Sequence, residues 1–492
     1  MVPRQLSRCP ACFIWSEGVT VHDELTLVID IGKSHAKLLM VDALGAVVER
    51  HGRDNASVPS PLGYPALDVH GLEAWMAQTL RASTHTARCR RAIASTHGAA
   101  LVALGDEGLA WAPVDYEFDG LAQHPLLAKA FDAAADGFAQ TLSPDLPAGL
   151  NAARQLCYVQ NLHPEAWRRT RCLLPYAQYW AWRLCGERAS EVSSLGCHTH
   201  LWRPQGGGFS ALAQAKGWAA LFAPLRSAWE VLGTVRPDIA EAWGLPAHCQ
   251  VHVGVHDSNA CLARYLDASV AASSALTVVS SGTWTVLMAP GAPTASLQAE
   301  RDMLANVDVL GRATPTARFM GGREFAALLD GAAPDAGTLA DVQALVDSAT
   351  LATPAFAEHG GPFMGRQGQI VRGGQPLSEA LPPGQRAALA ALYCALTTAW
   401  LVDRLWAGVD LPRTVVLEGP LAQNPLYLAL LQALLPQTRC LASHDAMEGT
   451  ARGAWLLSRW GSPVASVLEP VEAAQVSGLQ AYQHRWLATL LV

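Results

Sequence analysis

The first sustained hydrophobic pattern begins at Leu25, where Leu25-Thr-Leu-Val-Ile-Asp30 leads through Ile-Gly-Lys-Ser-His-Ala into Lys37-Leu-Leu-Met-Val41. Two aliphatic runs flanking a Gly turn predict strand, turn, strand. Asp42-Ala-Leu-Gly45 supplies a further turn before Ala46-Val-Val-Glu49, so an antiparallel meander is expected. The spacing then predicts a helix over 72–87, strands over 92–95 and 99–104, and helical structure rich in Trp and Tyr from about 147 to 184. Pro237 to Trp243 predicts a short helix stopped at Gly244, and Gln250-Val-His-Val-Gly-Val-His256 alternates with period two into Asp257.

Beyond a helix expected over 258–266, the small-residue run Ala268-Ser-Val-Ala-Ala-Ser-Ser-Ala275 is the expected hinge between two halves. Leu276-Thr-Val-Val-Ser-Ser-Gly-Thr-Trp-Thr-Val-Leu-Met288 then repeats the opening plan of apolar strand, small-residue turn and apolar strand. Two such hairpins about 250 residues apart suggest a duplicated two-domain arrangement. The expected division is a flexible extension over 1–24, domains over 25–267 and 268–475, and a tail over 476–492. Helices alternate with a strand over 414–417 in the second half.

Composition narrows the class. The 492 residues are 50% hydrophobic and 16% charged, which excludes disordered and collagen-like chains. A net charge of -7 gives no whole-molecule positive field for nucleic acid or anionic lipid, so neither is an expected partner. The longest apolar helical stretch, 386–407, is broken by Thr397, Thr398, Asp403 and Arg404, so no membrane span is predicted. The apolar run near the N-terminus is too short for a signal-peptide core, and a cytoplasmic location is expected. Eleven scattered cysteines read as reduced, buried thiols, with Cys9 and Cys12 a lone C-x-x-C.

The basic residues are almost all Arg, yet two of the four Lys, Lys33 and Lys37, fall in the first hairpin turn. There Asp30 ends a strand, Gly32 lets backbone amides approach an oxyanion, Ser34 adds a hydroxyl, and Asp30 is placed to hold Mg2+ directly or through water. Ser280-Ser-Gly282-Thr283 is a second phosphate candidate, and Glu418-Gly419-Pro-Leu-Ala-Gln-Asn424 a third Gly-containing loop able to line a nucleotide. Asp257 follows a strand end, where a carboxylate serves equally as general base or as helix N-cap. His97-Gly98 lies on a turn between strands, as a polyol contact or an ordinary surface histidine. Two other classes stay open on these residues. His198, His200, His252, His256, Asp257 and His97 could compose a metal hydrolase site, and the two hairpins alone would suit a non-catalytic actin-type ATP-binding module.

Taken in order, these segments resemble the FGGY family of carbohydrate kinases. Asp30 to Lys37 is similar to its first phosphate motif, Gly254-Val-His-Asp257 to the strand end with its catalytic Asp, and Ser280-Ser-Gly-Thr-Trp284 to its second phosphate motif. Leu417-Glu-Gly-Pro-Leu-Ala-Gln-Asn-Pro425 resembles the adenosine motif, with Pro420 and Leu421 where relatives carry Gly, and Glu448-Gly-Thr-Ala-Arg-Gly-Ala454 the helix after it. Thr96-His97-Gly98 resembles the sugar-contacting Met-His-Gly of xylulokinases. The resemblance implies an α/β fold of two actin-like domains, each a mixed sheet flanked by helices, closing over a cleft for MgATP and an open-chain sugar, with the sugar on the first domain and ATP on the second.

It further implies Asp257 as general base. Thr96, His97, Gly98, His256, Asp257 and Trp284 would touch the sugar. Asp30, Gly32, Lys33, Ser34, Lys37, Gly282, Thr283, Gly419 and Asn424 would hold ATP and its phosphates, with Asp30 on Mg2+. A pentulose or hexulose substrate and a homodimeric assembly are the accompanying expectations.

Overall fold

The structure is a computed structural model that describes residues 24–266, 275–358, 360–443, 449–462 and 467–490. Cys9, Cys12, Glu448 and the expected hinge up to residue 274 lie outside the described residues.

The first hairpin, Leu25–Ile31 against His35–Val41, is antiparallel, and Val47–Asp54 continues it as the expected meander. On its other side Leu25–Ile31 pairs in parallel with Cys89–Thr96, which pairs in parallel with Gln250–His252 and Val255–His256. The second hairpin, Ala275–Ser281 against Thr285–Met288, is extended antiparallel by Ala313–Phe319, while Ala275–Ser281 pairs in parallel with Arg413–Glu418 and that strand with Thr438–Ser443. The two seven-stranded sheets therefore share one pairing scheme, hairpin and antiparallel neighbour on one side, two parallel strands on the other. Parallel sheets need both faces covered. The 23-residue helix Pro383–Leu405 supplies much of that cover in the second half and is buried along most of its length, so it is a core helix although it is long and apolar enough to cross a membrane.

Several elements depart from the sequence expectation for local reasons. The stretch 147–184 is two helical segments, Ala152–Leu162 and Pro164–Arg168, then the strand Cys172–Pro175 and the helix Tyr176–Cys185. A four-residue apolar run gives no periodicity by which strand and helix differ. The helix expected over 72–87 is Val69–Ala82, started by Asp68, whose carboxylate accepts from Gly71 N, and ended at an extended Ser83. The run 250–256 is two short strands, because Gly254 sits at φ 90° and a Cβ there would lie 2.7 Å from Ala94 O. The expected tail carries the helix Leu479–Thr489, whose Tyr482 and Trp486 are buried and donate to Thr350 O (2.6 Å) and Ala352 O (2.9 Å). It is part of the second half's core, anchored by apolar side chains at helical spacing.

The two halves meet over a shared apolar layer that includes Val28, Ile93, Val255, Val278, Val416 and Trp455. Within it the helices Asp257–Ala263 and Gly449–Leu457 touch so closely that a Cβ on Gly453 would lie 1.8 Å from Ala260 O. Arg264 Nη1 donates to Glu418 Oε2 (2.8 Å) and Arg264 Nη2 to Ser443 Oγ (3.0 Å), a buried ion pair across the halves that Tyr265 OH joins at 3.1 Å. The indoles of Trp229 and Trp460 stack across the same junction, centroids 4.8 Å apart and planes 13° from parallel.

Candidate active site

Three cavities bear on the site, two walled by both halves and one by the second half alone. The first, about 260 Å³, is walled by Asp30 and Lys37 from the first hairpin and by Ser280, Ser281, Glu418 and Thr450 from the second half. Lys37 Nζ stands 3.9 Å from Asp30 Oδ2. Gly32 N donates to His35 O (2.9 Å) and Asn55 Nδ2 braces Gly32 O (2.8 Å), which fixes the turn while Ser34 stays exposed. Carboxylate and hydroxyl oxygens are the donors a hard divalent cation bridging to phosphate requires, so this wall fits Mg2+.

Ser281 ties the second hairpin to the third loop. Its Oγ donates to Glu418 O (2.7 Å) and accepts from Leu421 N (3.0 Å). Gly419, at φ 84°, makes this possible, since a Cβ there would fall 1.9 Å from Ser281 O. Pro420 and Leu421, where a run of Gly was expected from relatives, open the 3-10 turn Pro420–Gln423, and Pro is suited to a first helical position. Beyond them lies a cavity of about 690 Å³ lined by Gly282, Thr283, Phe325, Pro334, Leu421 and Asn424. Asn424 Oδ1 caps the helix Pro425–Leu434 by accepting from Tyr427 N (3.0 Å), and its Nδ2 lies 3.4 Å from Pro334 O, so its polar atoms are engaged by the protein.

The third cavity, about 1020 Å³, is lined by Tyr116, Glu117, Trp284, Asp302, Arg318 and Met320, among others. Trp284 forms a shelf under the Arg318 guanidinium at 4.8 Å, and Arg318 is held in turn by two bonds to Asp302 (3.0 and 2.9 Å). The kink at Gly254 ends the alternating run at Asp257, the first residue of its helix. Asp257 Oδ1 accepts from Ser258 N (2.5 Å) and Ser258 Oγ (3.2 Å), whereas Oδ2 has no hydrogen bond among the described residues. Its side chain keeps 30% of its surface open, which leaves that oxygen accessible.

His97 is buried rather than on the surface. Its Nδ1 lies 2.9 Å from Gly98 O, which makes Nδ1 the donor and Nε2 the acceptor in the neutral ring. Burial lowers its pKa and keeps it neutral, with the Asp257 carboxylate and Lys33 acting on it in opposite senses. Nε2 is buried without a protein partner. Thr96 Oγ1 donates back to His97 O (3.2 Å), and Gly98 leaves no room, since a Cβ there would stand 2.5 Å from Cys197 Sγ.

Several expected contacts are placed differently. Of the expected sugar contacts Trp284 lines the 1020 Å³ cavity, whereas Thr96, His97, Gly98 and Asp257 lie outside its wall. So does His256. Its Nδ1 meets Asn259 Nδ2 at 3.1 Å, its Nε2 meets Cys197 Sγ and Asp257 Oδ1, each at 3.1 Å, and burial lowers its pKa. It therefore backs Asp257. Lys33 does not extend over the phosphate cleft but pairs with Asp115 and with Glu117 (3.3 Å) and lies over the Tyr116 ring at 5.2 Å. Two carboxylates outcompete a bare turn for an ammonium. Asp115 with its neighbour Tyr116, Cys197, Asp302 and Arg318 went unmarked by any local motif, since three of these positions stand alone and all are brought together only by the fold.

The histidines that could have formed a metal site are held apart by backbone carbonyls. His198 Nδ1 bonds Leu150 O (2.9 Å), His200 Nε2 bonds Ser143 O (3.2 Å) and His252 Nδ1 bonds Trp229 O (2.8 Å). Among the described residues no three His, Cys, Asp or Glu side chains converge for a metal ion.

Known proteins agree with this architecture. The family model of the carbohydrate kinase FGGY C-terminal domain matches residues 273–466. A carbohydrate kinase from Novosphingobium aromaticivorans is 34% identical, superposes with a TM-score of 0.84, and is matched over 94% of this chain and 98% of its own. A ligand-bound xylulose kinase from Lactobacillus acidophilus, 13% identical, shares the fold with a TM-score of 0.74 over 95% of this chain and 97% of its own. The L-fuculokinase of Salmonella typhi is 27% identical over 285 residues, 54% of this chain, and the match spans 56% of that curated relative's length. Two sheets of one pairing scheme over a cleft, with these sequence matches, define the class, and this chain belongs to the FGGY family of carbohydrate kinases.

Proposed function

We propose that this protein transfers the γ-phosphoryl group of ATP to a terminal hydroxyl of an open-chain sugar, with Asp257 as general base. The reading is supported by Asp257 Oδ2, which has no hydrogen bond among the described residues, and by His97, whose buried Nε2 lacks a protein partner and whose ring feels the Asp257 charge. A buried acceptor left unpaired is costly, and a polyol hydroxyl bound there would satisfy it. The 1020 Å³ cavity has room for a five- or six-carbon ketose, with the Trp284 shelf facing its carbon skeleton.

Phosphoryl transfer asks mainly for positioning and charge stabilisation. Gly282 and Thr283 offer backbone and hydroxyl donors to the phosphates, Lys37 adds charge, and the apolar wall of Phe325 and Leu421 receives the base. Asp30 would hold Mg2+, which when bound neutralises the phosphate chain. The sugar hydroxyl loses its proton to Asp257 Oδ2 as its oxygen attacks γ-phosphorus, and the bridging P–O bond breaks with its electron pair leaving on ADP. Ser258, by occupying Oδ1, directs the proton to the other oxygen.

The test is ADP formation from MgATP across ketoses and polyols, with Asp257→Asn alongside. One sugar should raise the rate well above basal, and the variant should lower kcat by about 10²-fold or more. Near-normal turnover by the variant would remove the base assignment. Tight ATP binding with indifference to every sugar would instead favour a non-catalytic actin-like module.

A further inference from the structure

The charge around the cleft is unevenly committed. MgATP brings about two net negative charges, and the transition state spreads charge over three equatorial oxygens of the transferring group. Of the nearby cations, Lys33 is held by Asp115 and Glu117, Arg318 is clamped by Asp302, and Lys37 faces Asp30. Arg323 differs from all three. It is exposed and has no carboxylate partner among the described residues. Its neighbour Glu324 does not neutralise it, because that carboxylate is buried in the core, accepting from Phe356 N (3.0 Å) and from Tyr393 OH.

The position is as telling as the charge. Arg323 lines both the nucleotide cavity and the sugar cavity, and no other described residue is common to their walls. It stands in the first turn of the nine-residue helix Gly321–Leu329, which is seated directly on the second phosphate turn. A Cβ on Gly322 would lie 2.3 Å from Gly282 O and 3.3 Å from Thr283 Cα, so backbone meets backbone and the base of the Arg323 side chain is fixed beside Thr283.

We propose that Arg323 contacts the transferring phosphoryl group and stabilises its charge as it passes from ATP to the sugar. The proposal rests on the kinase reading above. While the sugar oxygen forms its bond to γ-phosphorus, its proton goes to Asp257, and ADP departs with the electron pair, the guanidinium covers the equatorial oxygens. A planar fork of fixed N–H donors suits that role better than an ammonium.

The experiment compares Arg323→Ala and Arg323→Lys with the unaltered full chain, measuring kcat, the KM for the activating sugar, ADP affinity by calorimetry, the thermal midpoint, and recovery of Arg323→Ala by added methylguanidinium. Arg323→Ala should lower kcat by about 10²-fold, as removal of one transition-state donor does, with sugar KM, ADP affinity and thermal midpoint little changed. Arg323→Lys should fall between the two, and methylguanidinium should restore part of the lost rate. A fall in kcat of less than about tenfold for Arg323→Ala, or one matched by an equal loss of ADP affinity, would overturn the proposal. Should the unaltered chain show no sugar-dependent ADP formation, the kinase reading itself would fall and this inference with it.

Discussion

At the residue scale, buried histidine nitrogen sets how the protein responds to acid. His198 is half-buried with Nδ1 held by Leu150 O, and burial, reinforced by the Arg318 charge, pushes its pKa down to about 3. An unfolded chain would hold that imidazole near its ordinary value of about 6.5. Below that value the unfolded state binds the extra proton and the folded state does not, so stability falls as pH drops from about 6.5 toward 3. At pH 5 the loss from this one residue is on the order of 2 kcal/mol. His97, His200, His252 and His256 are lowered in the same direction by burial and steepen the trend. Urea midpoints measured from pH 7.5 to 5 should decline, and His198→Gln should flatten the decline.

The residues that were legible in sequence are those whose type is forced by position, such as Asp257 after the Gly254 kink or Gly282 in a tight turn. Lys33 was misread for a physical reason. Its partners Asp115 and Glu117 lie 82 and 84 positions along the chain, and no local pattern announces a pairing that only the fold creates.

At the element scale, strands and turns of both hairpins were visible because a period of two and glycine punctuation are local signals. The strand Cys172–Pro175 was not, since its pattern is set by the Leu101–Leu104 strand it pairs with. Helix contact across the junction depends on one missing side chain. Gly453→Ala would place a methyl group 1.8 Å from Ala260 O, and the helices Asp257–Ala263 and Gly449–Leu457 would have to separate. Overpacking of this kind costs about 1–3 kcal/mol. Because Asp257 begins one of the two helices, kcat should fall along with the thermal midpoint; a variant with unchanged midpoint and turnover would show that the contact is slack.

At the scale of the whole molecule, the duplicated plan was readable from two similar hairpins, but the fastening between the halves was not. The buried Arg264–Glu418 pair joins positions 154 apart, and Glu418 lies in what reads locally as a nucleotide loop. Breaking a buried pair from one side is far costlier than replacing both partners, because it strands a charge. Arg264→Met alone should therefore destabilise by about 3–5 kcal/mol. The double change Arg264→Met with Glu418→Leu should recover much of that loss in chemical denaturation, and failure to recover would mean that the pair contributes more than its charges.

The stacked indoles of Trp229 and Trp460 belong to opposite halves. Near-parallel rings this close share their excited states, so any rotation of one half against the other changes the ultraviolet circular dichroism and emission of the pair. The molecule thus carries an intrinsic optical gauge of cleft opening, readable in a stopped-flow instrument without a label, and Trp460→Phe provides the blank against which its signal is isolated from the other tryptophans.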